Sequence, residues 1–283
     1  MTASLPSRGT DIPSEPVFGG GSEILEALDA GRARAARPDP TAPSGWRVDP
    51  GVKAAILACF RDRSTRDWAV GPLGFRDRVG LPVKELLEGL EARAAAEAGR
   101  AWRVVPGGSS VRAGVHLGLG VVIMPPSFVN IGAWIGEDAM IDSHVLVGSC
   151  AQIGARVHLA AGVLIGGVLE PPGARPVIVE DDAFIGAGSA LLDGVLVGRR
   201  AVIGAGVTLT GTSRLYDLVR DRVLEGRSGE PLVVPEGAVV VPGTRALAGS
   251  FAREHGLAVA TAVIVKDRDA GTDARVALED ALR

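Results

Sequence analysis

The sequence predicts a mainly β protein built around a parallel β-helix, with helices before the coil and a small strand-and-helix cap after it. Three observations carry this. Counting in steps of six from Val111 gives Val111, Leu117, Ile123, Val129, Ile135, Ile141, Val147, Ile153, Leu159 and Ile165, an unbroken aliphatic series. After an interruption the step resumes as Val179, Ile185, Leu191, Val197, Ile203 and Leu209, and again at Val234 and Val240. A period of six fits neither a helix nor an ordinary strand. A chain that turns a corner every six residues does fit, because each inward aliphatic side chain then stacks on its equivalent one coil away. The second observation is glycine, 39 of 283 residues, often directly after the aliphatic residue, as in "IGAGSA" and "IGAGVT". A small residue there keeps the corner open. The third is that the flanks drop the six-residue step and take up helical spacing.

Taken in chain order, residues 1–21 are rich in Pro, Ser and Gly and lack a continuous apolar run, so they read as a disordered arm without a targeting segment. Residues 22–101 read as a helical N-terminal domain. Helices are expected over 22–36 and over 49–62, the latter with Asp49 as cap, Pro50 in the first turn and Val52, Ile56 and Cys59 on one face. A third is expected from Pro82 through "VKELLEGLEARAAAEAG", with Val83, Leu86, Leu87 and Leu90 as its apolar stripe. Between them, "RPDPTAPSG" and "VGPLGFRDRVG" read as loops. Residues 102–245 form the coil. It is interrupted at Gly166 to Ile178 and at Gly211 to Leu232, and loops on a rigid scaffold are where binding chemistry tends to sit. Residues 246–283 read as a cap, with "LAVATAVIVK" as a strand and "DARVALEDALR" as a closing helix.

Composition excludes several functions. A hydrophobic content of 47% with 22% charged residues is that of a soluble globular protein, and a net charge of −3 gives no electrostatic case for nucleic acid or an anionic membrane. Ala113 to Gly136 is uncharged and long enough to span a bilayer, but its glycines, Pro125 and Pro126 and its strict six-residue step argue against a membrane helix. Cys59 and Cys150 lie far apart without metal-type spacing, which points to two buried thiols in a reducing cytoplasm. His116 and His158 share the last hexad position but fall on different faces, and His144 occupies the fourth position, so no metal is expected.

The pattern "[LIV]-G-x-x-[AVS]-x" resembles the left-handed β-helix of hexapeptide acyltransferases, where three hexads make one triangular coil. "MPPSFVNIGAW", "AMID", "VGSCAQIGARVHL", "IGGVLEP", "VIVEDDAFIGA" and "TAVIVK" resemble, more specifically, the tetrahydrodipicolinate N-succinyltransferase family. The resemblance covers most of the chain from about residue 22. It implies succinyl transfer from succinyl-CoA to the amine of a small amino-dicarboxylate, as in the diaminopimelate branch of lysine biosynthesis. It also implies direct attack in a ternary complex, no metal, and a homotrimer with active sites between subunits.

An amine must lose a proton to attack a thioester, so the site needs a carboxylate or imidazole as acceptor, and a dicarboxylate substrate calls for arginine. By resemblance, Asp142 of "MID" is the catalytic aspartate, and Arg103 of "AWRVVPG" and Arg112 of "SVRAG" bind substrate together with Asp142 and Glu170. CoA is expected along Gly166, Gly167, Ala187, Gly204 and Lys266. The family reads "FIGARSEVVEG" where this chain reads "FIGAGSALLDG", which puts Ala190 in place of an essential glutamate and Gly188 in place of an arginine. His144 stands where the family has Trp, and Ala160 and Ala161 replace "SG". His144, beside Asp142, is the second candidate catalytic group. Three readings stay open: the succinyltransferase or a relative acylating a different amine in a specialised pathway, a sugar or amino-acid acetyltransferase on the same coil, and a CoA-binding trimer without turnover.

Overall fold

The computed structural model describes residues 21–273, apart from 71, 88, 228 and 229. Its centre is a triangular prism of two-residue strands, each paired in parallel with its equivalent one coil on, eighteen residues away where the ladder is unbroken, as Ile123 pairs with Ile141 and Ile141 with Leu159, and farther across the interruptions, as Leu159 pairs with Ile185. Three faces result. The docked face stacks His116–Leu117, Trp134–Ile135, Gln152–Ile153, Ile178–Val179, Leu196–Val197 and Val233–Val234. The open face stacks Ser110–Val111, Phe128–Val129, Leu146–Val147, Leu164–Ile165, Ala190–Leu191 and Thr208–Leu209. The extended face runs from Arg103–Val104 through Val122–Ile123, Met140–Ile141, His158–Leu159, Phe184–Ile185 and Val202–Ile203, then beyond the coil into Ala238–Ala246 and Ala258–Asp267.

Every aliphatic residue of the six-residue series is buried inside this prism. Full burial of such a side chain contributes about 1.5–3 kcal/mol, so the ladder is the main apolar store of the fold. The coil is the left-handed parallel β-helix expected, against the right-handed habit of longer crossovers. Its corners turn through a fourth hexad residue with positive φ, such as Gly132 at 78° but also Asp138 at 54°, His144 at 61° and Arg156 at 57°. The second position is constrained by the coil above: a Cβ on Gly148 would lie 2.2 Å from the Gly167 nitrogen.

The N-terminal segment is less helical than its sequence suggests. Helix α1 (Gly21–Asp29) stops well short of residue 36, because Gly31 takes φ 69° and the chain folds back. The Ala33 N–H then bonds the Ala27 carbonyl at 2.9 Å, and Ala36–Pro38 pairs with Trp46–Val48 across the "RPDPTAPSG" turn. Helix α2 (Pro50–Cys59) opens as expected, with Asp49 Oδ1 accepting from the Val52 N–H at 2.9 Å. "VGPLGFRDRVG" forms part of a hairpin, Thr65–Val70 with Leu73–Arg78, held by a cross-strand Trp68–Phe75 pair and by Arg76 on Asp67. The long third helix shrinks to α3 (Leu90–Glu97). Residues 82–87 run instead as extended chain along the start of the coil: Val83 bridges Arg112, the Lys84 N–H bonds the Val111 carbonyl, and Trp102 Nε1 bonds the Leu86 carbonyl. Val83 and Leu87 are consequently exposed, while Leu86 packs on the coil core.

This N-terminal part has its own core, Ile24, Leu28, Val52, Ile56 and Leu81, which Ile131 and Cys150 of the coil complete. Lys53, fully buried, donates from Nζ to the Ala174 carbonyl at 2.7 Å and the Pro171 carbonyl at 3.3 Å, fastening the first interruption to α2. The second interruption contains a hairpin, Arg214–Asp217 with Arg222–Glu225, whose buried Asp217 pairs with Arg222 at 3.1 Å. At the far end, Ala258–Asp267 is the expected strand, antiparallel to Ala238–Ala246, with the short α4 (Ser250–Glu254) between them. The arm over 1–21 (save Gly21, which begins α1) and the closing helix over 273–283 (save Asp273) lie outside the described residues. Among the described residues no helix is long and apolar enough to cross a membrane.

Candidate active site

The edge where the extended face turns into the open face differs from the other two. One coil after another, it carries Asp142–Ser143–His144, Ala160–Ala161–Gly162, Gly186–Ala187–Gly188 and Gly204–Ala205–Gly206. Past the first of these coils no side chain larger than a methyl stands on the edge. The backbone is therefore bare over three coils, a strip of about 10–15 Å at the usual spacing between strands.

Asp142 occupies the second hexad position, where glycine is common, and faces Ala160 one coil on. Its Oδ1 accepts from the Ser143 N–H at 2.7 Å, and its Oδ2 has no partner among the described residues. His144 is exposed, with its backbone N–H on the Pro126 carbonyl at 2.7 Å and its ring free of hydrogen bonds among the described residues. Beside it lies a shallow cavity of about 340 Å³, lined by Gly108, Ser110, Ser127 and Phe128.

Two serines brace this edge from inside. Ser127 Oγ donates to the Asp142 carbonyl at 2.8 Å and accepts from the Val145 N–H, and Ser189 Oγ donates to the Gly204 carbonyl at 3.0 Å. Neither stands out in the motifs. Their signal is positional: both sit at the fifth hexad position, where the other coils of this edge have Val145, Val163 and Val207.

At the far end of the strip a polar cavity of about 650 Å³ is lined by Thr208, Ser213, Arg214, Arg245 and Thr261. Arg214 is paired with Glu225 at 2.7 Å, whereas Arg245 has no ion pair among the described residues. The motifs do not mark Arg245 either, since it lies in the hairpin strand beyond the coil.

The remaining candidates spread over the prism. Arg103 is exposed on the extended face two coils before Met140, about 10 Å away by strand spacing. Arg112 lies on the opposite border of the open face with its charge already used, paired to Asp77 at 2.5 Å and donating to the Leu81 carbonyl. Gly166, Gly167 and Glu170 lie on that same border, where the first interruption leaves the coil. Lys266 is exposed on Ala258–Asp267 opposite Val239, at the other end of that hairpin from Arg245, and lies 2.7 Å from Asp269. Within one chain Asp142, His144, Ala187 and Gly204 thus share one edge, and Gly166, Gly167 and Glu170 share the other edge of the open face. Among the described residues no group of three His, Cys, Asp or Glu could hold a metal ion.

Such an edge can hold an extended ligand against bare backbone, with a cation at one end and a carboxylate oxygen open to a proton at the other. Two families match the coil: "Bacterial transferase hexapeptide (six repeats)" over residues 132–167 and "Hexapeptide repeat of succinyl-transferase" over residues 176–211. The fold is that of a hexapeptide-repeat transferase. The chain is 43% identical over 260 residues to the 2,3,4,5-tetrahydropyridine-2,6-dicarboxylate N-succinyltransferase of Idiomarina loihiensis, covering 92% of this chain and 87% of that one. It is 39% identical over 262 residues to the enzyme of that name from Xylella fastidiosa, covering 93% and 87%, and 41% identical over 265 residues to that from Bradyrhizobium diazoefficiens, covering 92% and 88%. The chain belongs to the 2,3,4,5-tetrahydropyridine-2,6-dicarboxylate N-succinyltransferase family.

Proposed function

We propose that this chain transfers a succinyl or related acyl group from a CoA thioester to the amine of an amino-dicarboxylate, the acyl step of lysine biosynthesis through diaminopimelate. The observation that carries the reading is the stripped edge: bare backbone along Ala187 and Gly204 that runs from the Arg245 cavity to Asp142. The acyl-CoA lies along that strip with its phosphates toward Arg245 and its thioester toward Asp142. Asp142 Oδ2 takes a proton from the incoming ammonium. The amine lone pair then forms a bond to the thioester carbon and the C–S bond breaks with its electron pair on sulfur; the first proton leaves Asp142 for solvent, and the second proton lost by the nitrogen passes through Asp142 to the departing thiolate, giving amide, free CoA and one released proton. His144 relays the amine proton, and Arg103 holds a substrate carboxylate.

We assign the working form as a homotrimer in a cytoplasmic setting. The Asp142 cavity is shallow, the open face is apolar and uncovered, with Leu164 45% exposed between Leu146 and Ala190, and Gly166, Gly167 and Glu170 sit on its other border. A neighbouring copy packed there brings the second set of residues to the first. Both cysteines are free and buried, as a reducing compartment requires of structural thiols.

A different acceptor amine is the second reading, favoured by Ala190 on the open face between Leu164 and Thr208, where no carboxylate stands. Release of CoA thiol from succinyl-CoA with 2-aminopimelate tests the first reading. Turnover that falls by about 10²–10⁴ in Asp142→Asn supports it. Turnover only with other amines selects the second, and CoA binding without thiol release from any amine refutes acyl transfer.

A further inference from the structure

A second cavity lies on a different edge, between the docked and extended faces, and has no part in the acyl-transfer reading. Its volume is about 680 Å³, within the range of small-molecule sites. Three of the chain's four tryptophans, Trp46, Trp102 and Trp134, line it. Each ring is held in place. Trp46 Nε1 donates to Glu180 Oε1 at 2.8 Å, Trp102 Nε1 to the Leu86 carbonyl at 3.1 Å, and Trp134 stacks on His116 with centroids 3.8 Å apart. Rigid flat walls of this kind favour a flat aromatic ligand.

Two arginines line this cavity, Arg34 and Arg199, with the acids Glu91, Glu137, Glu180 and Asp181, and of the two arginines Arg34 is the one without an ion pair among the described residues. Its guanidinium carbon lies 4.0 Å from the Trp134 ring centroid and 5.3 Å from that of Trp46, and its Nε donates to Gln152 Oε1 at 2.6 Å. Its two Nη groups have neither hydrogen bond nor ion pair among the described residues. The lining acids make their contacts elsewhere, Asp181 with Arg199 at 3.1 Å, Glu137 with Arg100 at 3.3 Å, and Glu180 accepting from Trp46 Nε1 at 2.8 Å and from the Arg199 N–H at 3.0 Å, although the Asp181 charge still acts on Arg34. Burial pushes the Arg34 pKa down to about 10, which leaves the group charged at neutral pH and short of a counter-ion. On the opposite wall, α3 presents Ala94, whose methyl leaves the space above the rings empty. Glu91 of the same helix puts one negative charge on the rim, which selects against polyanions such as CoA.

We propose that this cavity binds an aromatic monocarboxylate, its ring in the space beneath Ala94 beside the indoles and its carboxylate on the Arg34 Nη groups. Calorimetric titration of the full chain with indole-3-acetate and with the neutral indole-3-acetamide tests it. The expected result is one site per chain, the acetate at least tenfold tighter than the amide. Arg34→Gln brings the acetate down to the level of the amide, Ala94→Trp fills the cavity from an exposed helix position and removes both, and succinyl-CoA displaces neither. The proposal fails if the acetate does not bind or binds no tighter than the amide, if folded Ala94→Trp still binds it, or if succinyl-CoA competes and so places the probe at the Asp142 edge. Should Arg34→Gln not fold, the acetate-to-amide ratio and Ala94→Trp decide.

Discussion

Replacing His144 by glycine separates a chemical role from a structural one, because the two move in opposite directions. His144 sits at φ 61°, at the corner position where Gly162 and Gly188 stand in later coils at 73° and 68°. A left-handed conformation costs a residue with a Cβ about 1–2 kcal/mol. Glycine gives back part of that, about 0.5–1 kcal/mol, through the greater entropy of its unfolded chain. The imidazole is exposed and its ring makes no hydrogen bond among the described residues, so little burial is lost. The net expectation for His144→Gly is a protein as stable as the parent or about 0.5 kcal/mol more so, a rise of roughly 1–2 °C in Tm. If His144 relays the amine proton beside Asp142, thiol release from succinyl-CoA falls by about 10²–10⁴ in the same protein. Thermal unfolding and thiol release are measured side by side at saturating substrates. Activity within twofold of the parent refutes the relay and leaves Asp142 alone as proton acceptor. A melting point several degrees lower refutes the account of the corner.

Two further outcomes test the scaffold. Gly148→Ala places a Cβ 2.2 Å from the Gly167 nitrogen and 2.5 Å from its Cα, with backbone on both sides, so chemical denaturation should show a loss of about 1–3 kcal/mol. His116, half-buried on the docked face, has its pKa pushed below the ordinary value, first by desolvation, then against the opposing bond from its ring to the Asp29 carbonyl. The unfolded chain therefore takes up this proton before the folded one, and the contribution is fully present above the ordinary histidine pKa of about 6.5 and is lost as pH falls below it. The denaturation midpoint should drop from pH 7 to pH 5 more steeply in the parent than in His116→Gln, and equal slopes would exclude this histidine as the cause.

The sequence by itself determined the coil. A ladder of aliphatic residues at a fixed step, from Val111 to Val240, encodes the same contact again and again, so the period alone names each inward side chain. It also marked the Asp49 cap, which is a contact three residues long, and the two places where the ladder breaks. Three hexads per coil even align Asp142 with Gly204 on one edge and set Gly166 on another, an arrangement readable by counting. What only the tertiary structure decided is everything that docks on the ladder from far along the chain without a period. Helical spacing over 82–99 gives way beyond α3 because Val83 and Lys84 pair with the first coil at Arg112 and Val111. Residues 30–36 leave their expected helix, and Ala36–Pro38 enters a hairpin that carries Trp46 to Glu180. The Arg34 stack on Trp134 and the Lys53 hold on the loop at Ala174 join residues a hundred or more positions apart, and a local pattern contains no term for such contacts. They form because the N-terminal part and the docked face each leave apolar and charged groups that water satisfies less well than the other surface does.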